Sequence, residues 1–300
     1  MAAVPAPWAA LGPFAATVPL WDVIGRLGGP VAAAGASPER WMEAGLPLDA
    51  AMAMHAAEGF AHGTWAAAHD WPAGLDGLPH GPVVLAAEGD LSLLHRPCVA
   101  IVGARRCTTY GREWASRLAE AVVGAGGVVV SGLAWGIDLA AHEAAGGATV
   151  AVLGQGLQAE LPAWARRARE AIVSAGGCVL TEYPPTMSAR DWTFPRRNRV
   201  IAGLSRAVVV VEAARRSGAR ITARLGLEYG REVLAVPGPL GAEASEGCLD
   251  LLDEGATMVR GPETVLEAAS LVVSDAPGGY GAGHGATRSP AAPRARTPRR

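Results

Sequence analysis

The sequence predicts a doubly wound α/β fold: a mostly parallel sheet with helices on both faces, a small helical domain before it and a disordered basic tail after it. Three features carry that prediction. From residue 98 onward, short runs rich in β-branched residues recur, each ending on glycine or another small residue. Helix-like stretches separate the runs, so strand and helix alternate. The runs are continuously apolar rather than alternating, which is the pattern of strands buried on both faces.

The first 80 residues are rich in Ala, Trp and Pro, with helix-like segments around 17–27, 38–44 and 47–67. In "GASPERWMEAGL", Ser37 is placed to act as N-cap, with Pro38 at the first helical position and Glu39 in the first turn. Residues 1–80 are read as one small helical domain and 81–95 as a connection. Residues 96–272 form the α/β domain. Its strands are expected at 98–104, 127–134, 148–154, 177–183, 207–213, 232–238 and 256–259, with helices near 109–125, 136–146, 160–175, 197–204, 218–230 and 247–254. The tail, 273–300, is Val273 followed by "SDAPGGYGAGHGATRSPAAPRARTPRR" (274–300), rich in Gly, Pro, Ala and Arg and too poor in apolar side chains to bury a core.

Composition narrows the function. Half of the 300 residues are apolar, but no uncharged stretch is long enough to span a bilayer, and the N-terminus has no basic region ahead of an apolar one. A cytoplasmic protein is expected, with Cys98, Cys107, Cys178 and Cys248 as reduced thiols and no metal or cofactor. All 26 basic residues are arginine and the net charge is −2. The charge is uneven: residues 190–224 hold nine arginines and two acids. A local basic block in a neutral chain points to an anionic ligand.

Chemistry-bearing residues gather at the predicted strand ends, where open parallel sheets bind ligands. In "VGARRCTTYG" (102–111), Gly103 turns the chain toward a helix, Arg105 is a bidentate anion donor, and Thr108 or Thr109 can cap the helix. In "SGLAWGIDLAAHEAA" (131–145), Ser131, Gly132 and Gly136 precede a helix that carries Asp138 and, one turn on, His142. That pair reads either as an acid–base couple or as a cap and a structural histidine. Gly154, Ser217, Gly218, Thr222 and Glu212 belong to later strand ends. Successive glycine turns suggest a rim of backbone donors suited to phosphate. The segment "FPRRNRVIAGLS" places Phe194, Arg196, Arg197, Asn198 and Arg199 just before a strand, with Val200, Ile201 and Leu204 anchoring a short helix whose first turn projects the arginines. An aromatic beside guanidinium groups suits single-stranded nucleic acid. Arginines tied up with internal carboxylates such as Glu182, Asp191 and Glu212 are the equal alternative.

Taken in order, "VGARRCTTYG", "SGLAWGIDLAAH", "GGATVAVLGQGL", "FPRRNRVIAGLS", "SGARITA" and "GREVLAVPG" resemble the DprA/Smf family of DNA-processing proteins over residues 95–258. The resemblance implies an extended Rossmann-like domain that binds single-stranded DNA, forms a homodimer, displaces single-strand-binding protein and loads RecA in natural transformation, with no catalytic step. It implies that Arg105 contacts phosphate and that Phe194, Arg197, Asn198 and Arg199 form a DNA-facing loop. It further implies that Gly103, Ser131, Gly132 and Gly136 shape a phosphate pocket, with Asp138 and His142 structural. The chain departs from the family pattern at Gln158, Ala165, Arg220 and Leu249, positions expected near the rim, and the family's C-terminal winged helix has no recognisable counterpart. The other readings are a nucleotide-binding sensor and a nucleotide-processing enzyme of the same superfamily, although the "PGGxGTxxE" signature of the phosphoribohydrolases is absent.

Overall fold

A computed structural model of the chain describes residues 85–271 continuously and, before them, 22–23, 26–27, 37–47, 64–66, 72, 74–75, 78 and 81–82. The basic tail and most of the expected N-terminal helical domain lie outside the described residues.

Strand β3 (Cys98–Val102) begins the alternation that the sequence predicts. It is followed by α2 (Thr109–Gly124), β4 (Val128–Ser131), α3 (Ile137–Ala145), β5 (Thr149–Val152), α4 (Ala163–Ser174) and β6 (Cys178–Thr181). The second half holds α5 (Thr193–Leu204), β7 (Ala207–Val210), α6 (Gly218–Glu228), β8 (Glu232–Ala235), α7 (Glu243–Asp253), β9 (Thr257–Met258) and α8 (Pro262–Ala268). Ahead of β3 lie α1 (Pro38–Glu43), β1 (Thr64–Ala66) and β2 (Leu85–Gly89). The sheet order is β1-β2-β6-β5-β4-β3-β7-β8-β9. Every pairing from β6 to β9 is parallel, and only β1–β2 and β2–β6 are antiparallel.

Each strand supplies both faces. In β3, Val99 and Ile101 enter one apolar layer, with α2, α3 and α8, while Cys98, Ala100 and Val102 enter the other, with α5, α6 and α7. The continuous apolar runs follow from this: side chains alternate between faces, and both faces are dry. Burial of these side chains at ~25 cal/mol per Å² is the main force holding the layers together.

Three elements correct the sequence reading. Thr64–Ala66 lies in a stretch expected to be helical, yet it pairs as a strand with β2. Leu85–Gly89, expected within a connection, is a strand hydrogen-bonded to β6, with Leu85, Ala86 and Ala87 buried. Helix α8, which the sequence reading passed over, packs Val265 and Leu266 on the α2 side. Ser37 does precede α1, with Pro at the first turn, but its hydroxyl makes no capping bond.

The chain doubles back between β3 and β7. These neighbours are linked through elements that wind out to one side, and β8 and β9 continue to the other. Such a switch point leaves a crevice beyond the carboxyl ends of the two strands, because the helices that follow them diverge to opposite faces.

Candidate nucleic-acid interface

A cavity of about 520 Å³ occupies that crevice. Its walls come from the turn after β3 (Gly103, Ala104, Arg105), the loop after β4 (Ala134) and the first turn of α3 (Asp138), the first turns of α5 (Phe194, Arg197, Asn198) and the start of α6 (Ser217, Gly218, Thr222). Nine of the residues singled out in the sequence therefore converge on one space: Gly103, Arg105, Asp138, Phe194, Arg197, Asn198, Ser217, Gly218 and Thr222.

The mouth is built from Arg105 and Phe194. Arg105 is exposed, and its guanidinium lies 5.4 Å from the centre of the Phe194 ring. The ring face attracts the cation and holds it over the cavity. Arg106 and Arg216 are also exposed, each next to a residue of the lining. The sequence reading passed over both; their signal was adjacency to a strand-end turn.

The remaining arginines of "FPRRNR" behave differently. Helix α5 begins at Thr193, four residues before the expected start, so Phe194 to Arg199 are helical and not a loop. Arg197 and Arg199 are only 6% and 4% exposed and do not project into solvent as the sequence reading expected. The physical reason is that α5 is covered on all sides: every residue from Arg197 to Leu204 is buried, so the arginines in that stretch must find partners inside. Arg197 donates to the carbonyls of Val152 and of Gly132 (2.6 Å), and its Nε donates to Asn198 Oδ1 at 3.2 Å. Burial pulls its pKa down to about 10, against the neighbouring Asp138 carboxylate, so it stays charged at neutral pH. Asn198 Nδ2 donates to the carbonyl of Gly218 at 3.2 Å, tying α5 to the start of α6. Arg199 Nη2 reaches both oxygens of buried Glu182, at 2.5 and 2.7 Å. Burial raises the Glu182 pKa and Arg199 opposes the rise. Arg196 is half-buried and stacks on Trp192, 4.6 Å from its ring centre.

Asp138 and His142 do not bond to each other; each holds the loop between them and β4. Asp138 Oδ2 accepts from the backbone N–H of Gly132 (3.1 Å) and of Ala134 (3.4 Å). Burial raises its pKa, and Arg197 pulls in the opposite direction. His142 Nε2 accepts the N–H of Leu133 at 3.3 Å, and its Nδ1 lies 2.7 Å from Thr149 Oγ1. The Thr149 proton is committed to the carbonyl of Val129, so Nδ1 must be the donor and Nε2 the acceptor. The ring is neutral, and burial lowers its pKa to about 3. Leu133, at φ 53°, sits in the left-handed region that a leucine rarely adopts, and the His142 bond secures it there.

The other predicted residues frame the cavity from outside. Ser131 Oγ donates to the carbonyl of Ile101 at 2.6 Å, joining β4 to β3. Glu212 accepts from Thr108 N–H at 2.8 Å and from the Thr108 hydroxyl. Thr108 in turn caps α2 by accepting from Gly111 N–H at 3.1 Å. Gly154 lies beneath Phe194. Gly132 has no room for a side chain: a Cβ there would stand 2.5 Å from Arg197 Nη1. Gly136, at φ 92°, brings its α carbon against the turn after β3, where a Cβ would meet the Ala104 carbonyl at 2.4 Å. Gln158, Ala165, Arg220 and Leu249, expected near the rim, are all outside the lining. Arg220 instead pairs with Asp250 of α7 (3.0 Å) and with Glu254 just past its end (2.6 Å).

Among the described residues, no group of three or more His, Cys, Asp or Glu side chains is arranged to hold a metal ion, and no helix is long and apolar enough to cross a membrane.

Residues 63–270 match the family model described as DNA recombination-mediator protein A. The chain is 44% identical over 189 residues to Protein Smf of Escherichia coli, an alignment that covers 62% of this chain and 50% of that protein. It is 42% identical over 199 residues to DNA processing protein DprA of Streptococcus pneumoniae, covering 65% and 70%. The chain thus spans half the length of the first relative. The X-ray structure of the pneumococcal DprA superposes with a TM-score of 0.75 at 33% identity, over 87% of this chain and 97% of that one. A Helicobacter pylori DNA processing protein A, solved to describe its single-stranded DNA binding mode, gives 0.63 at 30% identity, over 69% and 95%.

Proposed function

The chain belongs to the DNA recombination-mediator protein A family, and we propose that it binds single-stranded DNA at the switch-point cavity, as a homodimer, and passes the strand to RecA. The observation that carries this reading is the mouth of the cavity, an exposed guanidinium held against an aromatic ring. Phosphates meet Arg105, with exposed Arg106 and Arg216 each next to a lining residue, and release counterions, which makes affinity fall steeply with salt. A base enters against Phe194, and a paired duplex cannot offer that face. Backbone N–H groups at the strand ends supply further phosphate donors. Displacement of single-strand-binding protein follows if the cavity competes for the same phosphates.

No chemical step belongs to this reading. A general acid or base must be free to move a proton at a reacting atom. Asp138 is engaged by two backbone N–H groups, His142 by Leu133 and Thr149, and Glu212 by Thr108.

A second reading is favoured by the cavity's size. About 520 Å³ falls within the ~300–1,000 Å³ of small-ligand sites, so a mononucleotide could saturate it as a sensor. One titration separates the two. Fluorescent single-stranded oligonucleotide, duplex and mononucleotide are compared at several salt concentrations, with and without residues 274–300. Single-strand binding that needs several linked nucleotides, weakens in Arg105→Ala and survives loss of the tail supports the mediator. Equal affinity for a mononucleotide, or no strand binding at low salt, defeats it.

A further inference from the structure

A second groove, of about 570 Å³, runs between α3 and α4. Leu139, His142 and Glu143 line it from α3; Trp164, Arg167 and Ile172 line it from α4. Trp135 closes one end, 50% exposed, and meets Trp164 edge to face with ring centres 5.4 Å apart. Here two indoles stand at its entrance, and a T-shaped pair leaves an aromatic face uncovered.

The groove adjoins the cavity through one short loop. Ala134 lines the cavity and Trp135, the next residue, lines the groove. Helix α3 faces both: Asp138 on the cavity side, Leu139 and Glu143 on the groove side. The loop that carries Trp135 is pinned. Asp138 holds Ala134 N–H, His142 holds Leu133 N–H, and Gly136 packs on the Ala104 carbonyl. Trp135 is therefore positioned before any ligand arrives. Beside the indoles, Arg167 of α4 is exposed on the groove wall and Glu143 lines the α3 wall; Arg166, next to Arg167 in the chain, is exposed outside the lining.

We infer that the Trp135–Trp164 groove is a second stacking site for the same single strand, taking bases on the indoles and a phosphate on Arg167, and so lengthening the track that starts at the cavity. This rests on the single-strand reading above. The occupant is argued from the paired indoles, the exposed Arg167 and continuity: a strand leaving the cavity past Ala134 meets Trp135 next.

The test uses the full chain and labelled oligothymidylates of about 4 and about 16 nucleotides, bracketing the lengths that single-strand-binding surfaces accommodate. Trp135→Ala and Trp164→Ala are expected to weaken the long strand by about 5- to 150-fold, the range of one base–aromatic stack, and to leave the short one unchanged. Their salt slopes stay as in the wild type, whereas Arg167→Ala lowers the long-strand slope by about one. Trp135→Phe restores most of the loss. Wild-type affinity for the long strand in both tryptophan variants, with Arg105→Ala impaired in parallel, overturns the inference and leaves the proposed function intact. If the wild type binds neither strand, both fail. Should Trp164→Ala unfold, half-exposed Trp135 and its Phe rescue decide.

Discussion

Arg105 lines the cavity, Arg199 directly follows the lining residue Asn198, and the two do opposite things. Arg105 is in solvent, held by a ring face and otherwise available to an anion. Arg199 is buried and bound to Glu182 through both carboxylate oxygens. The cavity thus has an outer rim of available cations and an inner frame of charges spent on the fold: Arg197, Arg199, Asp138 and Glu182. Charge density along a sequence is therefore a poor guide to charge presented at a surface. The densest arginine run in this chain faces mostly inward, while the pair in "GARRC" remains outside.

The largest effect should come from the frame. Arg199→Met strands the Glu182 carboxylate in the core and should cost about 3–5 kcal/mol in urea unfolding. With its partner gone, Glu182 has a folded pKa further above its unfolded one, so the variant should regain stability as pH falls toward the ordinary glutamate range and lose it as pH rises. A variant as stable as wild type at pH 7 would mean that Arg199 belongs with the rim.

His142 gives the second test. Its folded pKa, about 3, lies below the ordinary 6.5, so the unfolded chain binds the proton in between. Its contribution is complete above pH 6.5 and is lost as pH falls toward 3, by up to about 1.4 kcal/mol per pH unit. His142→Asn should flatten that limb of the stability–pH curve; an unchanged limb would show that the ring does not hold Leu133 as described.

Between frame and rim lies Gly136. Gly136→Ala forces φ 92° on an alanine and drives its methyl at the Ala104 carbonyl. It should cost about 1–3 kcal/mol and, by shifting the Arg105 turn, reduce strand affinity as well. A stability loss with unchanged binding would uncouple the two regions.

At the rim, Arg105→Ala should leave stability within about 0.5 kcal/mol, weaken single-strand binding about tenfold and lower the salt slope by about one. The smallest effect is expected at Arg220→Leu. Its ion pairs with Asp250 and Glu254 are partly solvated, so a loss under about 1 kcal/mol with normal binding fits their place outside the cavity.

The layering of this molecule was legible in its sequence. Val99 to Val102, Val128 to Val130 and Val208 to Val210 are apolar at every position because both faces of each strand are covered, and that requires helices on both sides. The glycine and small-residue turns marked the strand ends, and part of the cavity lining (Gly103 to Arg105, Ala134, Ser217 and Gly218) came from them. The short β1 and β2 were not legible: "TWA" and "LAAEG" carry no period, and their strand state depends on an edge of β6 that lies about ninety residues away for β2. Nor did anything in "RRNR" say which guanidinium turns inward. That depended on where α5 begins and on Glu182, Gly132 and Val152 waiting at the right depth, partners brought together only when the sheet closes. Local periodicity and turn chemistry are properties of neighbouring residues, so the chain alone determined them. Pairing of buried charges depends on distances between distant segments, and only the tertiary structure decided those.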